Sequence, residues 1–580
     1  MYRQLIVNDD SINNEIKKII NKDKHSLNDI KDNIIKDDKN ENEKDNKKVD
    51  VLDNSKFVNL DVNDDDNETQ FIFILKEQEI NNGRMRQINI KNASNCANCN
   101  SPLIEGVLSK NRIYCVPYGT CYDIRTGYLE EYPGLYSQNT FKTIVKNGKI
   151  FIETKFYMLS VNKKERPMYK YIFKMSNENT IIIGSGIAAV TCAEVLRQNG
   201  YKDSIILLTK DNTLPFARFL LSTNPNISDD EILLREKTFY NDYGIDIRLN
   251  TKVIKVDVTS KIVYCDNEKS FEYSNLVIAT GTALKKIVIP GSLLENVLYF
   301  KNPDDAKLIY DSSKNKHVSI LNCTPNIITL STILKKYAKS ITIYNKENIL
   351  FKEGGKSFNE ELIKYLENVC HINVRLNDSI RIIEGETKVK HLVLSSGNCA
   401  VSNIVIPYNG EIACSSFMLG AKLKTTSDSY IEVNENMKTN IPNVYAIGDC
   451  SFSDKYKSNS FRNSWQLAQI EGKICAMNIL NKEMINFNKE VQLFWFNIEN
   501  KMVVFVHKIF INDNEPLSRG SFETNDFITY FFDKNFLIGV ICFGDVTPAI
   551  QIFACFKKNI CITKEEVQIM KKNNWSYKLI

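Results

Sequence analysis

At 580 residues the chain is too long for one hydrophobic core and has to divide into roughly three or four domains. Its 75 lysines and arginines are nearly matched by 70 acids mixed along the chain, a net charge of +5, which excludes the basic stripe of a nucleic-acid-binding surface. A hydrophobic fraction of 43% with 15 scattered cysteines fits a globular protein with reduced thiols and excludes a disulfide-dense secreted scaffold. No apolar run reaches membrane-spanning length, and the longest, around Phe536 to Phe543, reads as a core strand. Met1 to Asp10 has neither a secretory apolar region nor the Arg-rich, acid-poor character of a transit peptide, so the cytoplasm is the expected compartment.

Residues 1–68 are rich in Asn, Lys and Asp and poor in aromatics, which predicts a disordered tail. Over 69–175, short apolar runs separated by Gly, Asn and Pro turns predict a small all-β domain. At Thr180 strands begin to alternate with helical segments, which predicts α/β domains with parallel sheets. One such unit covers 176–305 and resumes over 431–485; a second, opening at Val318, covers 306–430. Strands dominate again over 486–580, at 503–510, 527–532 and 536–542, and predict a C-terminal α+β domain.

The first unit opens with Ile181-Ile-Ile-Gly-Ser-Gly-Ile-Ala-Ala189, a buried strand running through G-x-G-x-x-A into a helix. That context makes it a dinucleotide fingerprint. Gly184 allows the tight turn, Gly186 leaves room for a pyrophosphate at the helix N-terminus, and Ala189 lets helix and strand pack closely. The acid that usually follows the next strand, to bond the ribose, is replaced by Lys210 and then Asp211. Further on come a strand ending in Ala279-Thr280-Gly281 and another ending in Gly448-Asp449, small-residue turns that let backbone approach a ligand. The five histidines have no metal-ligand spacing.

This order of motifs is similar to that of the pyridine-nucleotide flavoprotein reductases. Leu214-Pro-Phe-Ala-Arg218 with Leu221-Ser222, and Trp465-Gln466, resemble segments of the apoptosis-inducing factor branch. Cys96-x-Asn98, Gly106-Val-Leu-Ser109, Cys115-x-x-Tyr118-Gly-Thr-Cys121 and Pro133-Gly-Leu135 track a Rieske domain, so the chain resembles the Rieske-fused, apoptosis-inducing factor-like family. The resemblance implies two Rossmann-like domains of the FAD/NAD(P)-reductase type between a Rieske-like β domain and a C-terminal α+β domain. It also implies FAD, NAD(P)H, a [2Fe–2S] cluster and electron transfer. The FAD site would comprise Gly184, Gly186, Ala189, Arg218, Ala279, Thr280, Gly281, Gly448, Asp449 and Trp465, and the cluster's thiolates would be Cys96 and Cys115.

The residues depart from the family mildly at the flavin site, where Ala217 and Thr223 stand for an Asp and a Lys, and more heavily at two others. A Rieske centre needs two imidazoles beside its two thiolates, and those positions hold Asn98 and Tyr118. The expectation is therefore no ordinary cluster; Cys96, Cys99, Cys115 and Cys121 offer four thiols for zinc or an all-cysteine cluster, and four reduced thiols is the plainer reading. In the second unit the fingerprint glycines map to Asn322, Thr324 and Ile327, the ribose acid to Asn345, and a Gly-containing turn to Pro407-Tyr-Asn-Gly410, which argues against tight NAD(P)H binding. The expected function is an FAD-dependent oxidoreductase with impaired cluster and NAD(P)H sites, and the alternative is a flavin-binding scaffold. Neither the electron donor, the acceptor nor the oligomeric state is named by the residues.

Overall fold

The structure, a computed structural model, describes residues 95–580 apart from 160, 171–177, 225–226, 454–463, 483–490, 509–515, 571–573, 576–577 and 580, and the backbone of four strands before residue 95. Most of the stretch read as a tail lies outside the described residues. Within it, Val49–Asp53 and Lys56–Leu60 pair antiparallel, and the first also pairs with Asn89–Ile90. The short apolar runs there are diluted by Asn- and Asp-rich flanks, which hides them from a compositional reading.

A β module follows. Thr69–Lys76, Lys149–Lys155 and Lys142–Lys146 make one antiparallel sheet. Val107–Ser109, Arg112–Tyr114, Cys121–Asp123 and Leu129–Glu131 make a second.

The first α/β unit is a parallel sheet of β1 (Asn179–Ile183), β2 (Ser204–Leu208), β3 (Ile245–Arg248) and β4 (Asn275–Ile278), in the order β3-β2-β1-β4. Helix α1 (Ile187–Gln198) follows β1 directly. Ile181, Ile182 and Ile183 are at most 4% exposed, because a parallel sheet is covered on both faces. The second unit repeats the design with β5 (His317–Leu321), α2 (Pro325–Leu334), β6 (Ser340–Asn345), β7 (Asn373–Leu376) and β8 (Ile404–Pro407), in the order β7-β6-β5-β8. The chain then returns to the first sheet, adding β9 (Val444–Ala446) beside β4 and laying α3 (Trp465–Ile479) across α1. The two helices touch at backbone distance, since a Cβ on Gly472 would lie 2.6 Å from Ala188 O.

The C-terminal domain is a five-stranded antiparallel sheet of β10 (Gln492–Ile498), β11 (Lys501–His507), β12 (Leu517–Arg519), β13 (Asp526–Asp533) and β14 (Phe536–Gly544), in the order β10-β11-β14-β13-β12. It is followed by α4 (Thr547–Lys557). Both faces are buried. Val503, Phe505, Phe527, Phe531 and Phe543 pack with the second α/β unit. Val504, Val506, Ile528, Tyr530 and Cys542 pack with α4 and with Val107, Tyr114 and Cys121 of the β module.

The β module is anchored on the first unit through the loop at Pro133. Gln469 of α3 accepts from Gly134 N at 3.0 Å and donates to Gly134 O at 2.7 Å. Arg235, 3% exposed, forms a two-pronged ion pair with Glu194 of α1, both contacts at 2.9 Å, and donates to Leu135 O at 2.8 Å. Its guanidinium also lies over the rings of Tyr136, 4.1 Å from the centroid, and Phe239 at 4.5 Å.

Arg235→Met leaves Glu194 buried without its cation and should cost about 3–5 kcal/mol in a denaturant titration. The double variant Arg235→Met/Glu194→Gln should recover part of that loss; equal losses would show that the pair itself is not responsible. Gly472→Val should force α1 and α3 apart and lower stability by about 1–3 kcal/mol, seen as a lower thermal midpoint. An unchanged midpoint would contradict the backbone contact.

Candidate functional site

One cleft of about 1080 Å³ opens where β1, β2, β4 and β9 end, and it runs on toward the second unit and the C-terminal sheet. Gly184, the first residue after β1, has φ +114°, and a Cβ on it would lie 2.2 Å from Ala279 O, so glycine is what lets the turns after β1 and β4 meet. Gly186 is the N-cap of α1. It supplies no side-chain cap, and no atom lies within 4 Å of where its Cβ would be. The first N–H groups of a 12-residue helix, with the positive end of its dipole, therefore face an open cradle.

The other walls are held by specific contacts. Thr280 Oγ1 donates to Cys414 O at 2.7 Å, and Gly281 takes φ +64°. Buried Glu471 of α3 accepts from Gly448 N at 2.6 Å and from Ser451 Oγ at 3.0 Å, which fixes the turn carrying half-buried Asp449. Trp465, the first residue of α3, stands edge-on to Phe219 with centroids 5.1 Å apart. Arg218 opens the helix Arg218–Thr223 and is exposed at the cleft wall.

All the expected cofactor residues line this cleft except Ala189. Ala189 is fully buried and packs behind the turn with Ile182 and Val277, so its place in the fingerprint serves helix–strand packing and not ligand contact. Ser185 Oγ donates to Thr209 Oγ1 at 3.0 Å, and Lys210 and Asp211 continue along the rim where the ribose acid was expected.

Several lining residues were not singled out from sequence. Lys301 Nζ lies 2.9 Å from Glu411 and 3.0 Å from Thr282 Oγ1, a charged group assembled from three distant segments. Phe494 and Trp495 reach the cleft from β10. The run Phe494-Trp-Phe496 was the available signal for the aromatic wall; nothing local marked the lysine and glutamate.

On the side of the second unit, Thr324, Asn326, Ile327, Pro407 and Tyr408 line the same cleft, and the altered positions are occupied by internal contacts. Asn322 takes φ +57° and donates its side chain to Tyr408 O at 2.8 Å. Thr324 caps α2, and Pro325 removes an N–H from its first turn. Ile327 is 5% exposed in the core beneath. Asn345 spends its amide on Ile349 O at 2.7 Å and Glu347 O at 3.3 Å. Side chains thus fill what a glycine-rich turn leaves open for a pyrophosphate.

In the β module the sulfurs of Cys96, Cys99 and Cys115 lie within 4.8 Å of one another. Cys121 is not with them. It is buried against the core shared with α4, so the set of four thiols considered from sequence does not assemble. Hydrogen bonds from Cys115 and Cys99 hold the Cys96 thiol well below its usual range.

A Rieske centre does not fit these residues. Asn98 commits its whole amide to structure, donating to Tyr122 Oη at 2.6 Å and Tyr136 O at 2.8 Å and accepting from Leu135 N at 2.7 Å and Tyr136 N at 2.9 Å. Tyr118 packs edge-on against Trp495, with centroids 5.2 Å apart. No imidazole joins the thiols among the described residues.

Residues 178–472 match the pyridine nucleotide-disulphide oxidoreductase family. The chain is 31% identical over 398 residues to apoptosis-inducing factor 3 of Homo sapiens, a match covering 67% of this chain and 66% of the human protein, just under two thirds of that relative's length. It is 26% identical over 308 residues to rubredoxin-NAD(+) reductase of Pseudomonas putida, covering 51% of this chain and 80% of that one. Among solved structures, a ferredoxin reductase from Rhodopseudomonas palustris shares the fold with a TM-score of 0.62 at 20% identity, covering 67% of this chain and 96% of that chain. The covalent putidaredoxin reductase–putidaredoxin complex matches with a TM-score of 0.62 at 18% identity, covering 67% and 95%. No helix among the described residues is long and apolar enough to cross a membrane. With the matched segment spanning both α/β units and the cleft between them, the chain belongs to the pyridine nucleotide-disulphide oxidoreductase family.

Proposed function

We propose that this chain is an FAD-dependent oxidoreductase whose flavin half is retained and whose nicotinamide half is rebuilt. The observation that carries the reading is the uncapped N-terminus of α1 beside the open face of Gly186, at the end of β1. The cradle fits a pyrophosphate, which supplies the negative charge and acceptors that those N–H groups lack. Gly184 and Gly186 would admit the pyrophosphate, and Arg218 at the cleft wall could pair with a phosphate. Asp449, held by the Glu471-braced turn, would accept hydrogen bonds from the ribityl hydroxyls, with Ala279, Thr280, Gly281, Gly448 and Trp465 lining the rest. A bound flavin supplies the ability to take up a pair of electrons and release them singly, and the protein positions and tunes it.

NAD(P)H is the donor that family membership suggests. Asn322, Pro325, Ile327 and Asn345 support weak binding of it here, because the space and donors for its pyrophosphate are taken up by internal contacts. No observation favours a scaffold without turnover.

Protein purified without oxygen should show flavin absorption that dithionite bleaches and that NADH bleaches only at concentrations of about 1 mM or more. Absence of flavin overturns the cofactor assignment, and prompt bleaching at micromolar NADH shows that the rebuilt half still binds. Gly186→Val should fold normally, since its side chain meets no protein atom, yet lose the flavin whose pyrophosphate it displaces. Full flavin content in that variant would place the cofactor elsewhere.

A further inference from the structure

The β module holds a second group of reactive side chains, built by two loops of the same backbone design. In the first, Cys96 N–H donates to Ser101 O at 2.8 Å and Asn100 N–H donates to Cys96 O at 2.9 Å. In the second, Cys115 N–H donates to Thr120 O at 2.8 Å and Gly119 N–H donates to Cys115 O at 2.8 Å. The fourth residue after each cysteine is left-handed, with φ 61° at Asn100 and 71° at Gly119. The first loop is a C-x-x-C turn presenting Cys96 and Cys99, and the second presents Cys115 to the same point, with Tyr118 at the position matching Cys99.

The three sulfurs lie within 4.8 Å of one another, and Cys99 and Cys115 are 3.4 Å apart. A zinc ion bound at about 2.3 Å by tetrahedral thiolates holds sulfurs roughly 3.8 Å apart, so the observed separations differ from that geometry by about 1 Å or less. Cys96 and Cys115 are fully buried. The Tyr122 hydroxyl accepts from Asn98 at 2.6 Å, which leaves its own proton for the Cys96 sulfur 3.1 Å away, the arrangement suited to a thiolate. An all-cysteine iron–sulfur cluster requires a fourth thiol, and Cys121 is held in a different core.

We propose that Cys96, Cys99 and Cys115 form a three-thiolate zinc(II) site, with the fourth coordination position left to a small ligand such as water. Soft thiolates in a C-x-x-C turn plus a third cysteine select this ion over hard cations. Being redox-inert, it joins the two loops without carrying electrons. The module is then coupled to the cleft by contacts and not by electrons, through Tyr118 against Trp495 and through the hydrogen bonds of Gly134 to Gln469 of α3.

The test uses the full chain, purified without oxygen, stripped of metal and titrated with cobalt(II) as the spectroscopic stand-in for zinc. One equivalent should produce the near-ultraviolet sulfur-to-cobalt charge-transfer band, and zinc should displace it. Cys99→Ser should weaken cobalt binding by at least about 100-fold with an unchanged circular-dichroism spectrum. Cys121→Ala should bind as the parent does. In the parent, zinc should protect half-buried Cys99 from alkylation while exposed Cys399 and Cys561 stay reactive. No charge-transfer band, undiminished binding in Cys99→Ser, a Cys99–Cys115 disulfide in the oxygen-free protein, or an iron–sulfur spectrum would each overturn the proposal. The alkylation pattern keeps the test decisive should the variant misfold.

Discussion

The double-sided burial of the C-terminal sheet is the constraint on which the arrangement of the rest depends. An antiparallel sheet commonly leaves one face to water. Here successive residues of β11, β13 and β14 are apolar on both faces, and each face has its own partner. One is the second α/β unit, brought in largely through aromatic packing such as Tyr365 edge-on to Phe543, with centroids 5.2 Å apart. The other is the β module together with α4. Each fully buried valine or phenylalanine side chain contributes about 1.5–3 kcal/mol, so the sheet holds both neighbours firmly. Because β10 lies at the edge of this sheet, Phe494 and Trp495 are carried to the cleft wall.

Within that frame the two α/β units have the same topology and opposite states of their turns. After β1 the space beside Gly186 is open and the helix N-terminus uncapped. After β5 the equivalent space is closed by Asn322 reaching Tyr408 O, by Thr324 capping α2 and by Pro325 in the first turn. The backbone scaffold survives both cases, since strand–helix packing is maintained by the apolar core beneath, to which Ile327 contributes. Ligand capacity depends on whether a side chain occupies the few ångströms above the turn, and that can change without disturbing the sheet.

The β module shows the same separation of scaffold from ligand chemistry. At one position where the resemblance implies an imidazole, Asn98 ties the Cys96 loop to the Pro133 loop, which in turn docks on α3 through Gln469 and on α1 through Arg235. An amide, with two donors and an acceptor of two lone pairs, can satisfy four partners at once. The position has gained a structural role, and the thiols beside it remain gathered.

The sequence by itself determined the order of elements in chain direction. Buried β-branched runs mark β1 and β5, a glycine turn marks the first nucleotide unit, and the substitutions at Asn322, Thr324, Ile327 and Asn345 mark the second as altered. These are local properties, because hydrophobic period and turn chemistry are set by residues within a few positions of one another. Tertiary structure alone decided that Ala189 stands behind the cleft, that Cys121 leaves the other thiols while Cys99 joins them, and that Lys301, Glu411 and Trp495 line the cleft. Each of those outcomes depends on contacts between segments far apart in the chain, and the period and spacing of a single segment carry no record of them.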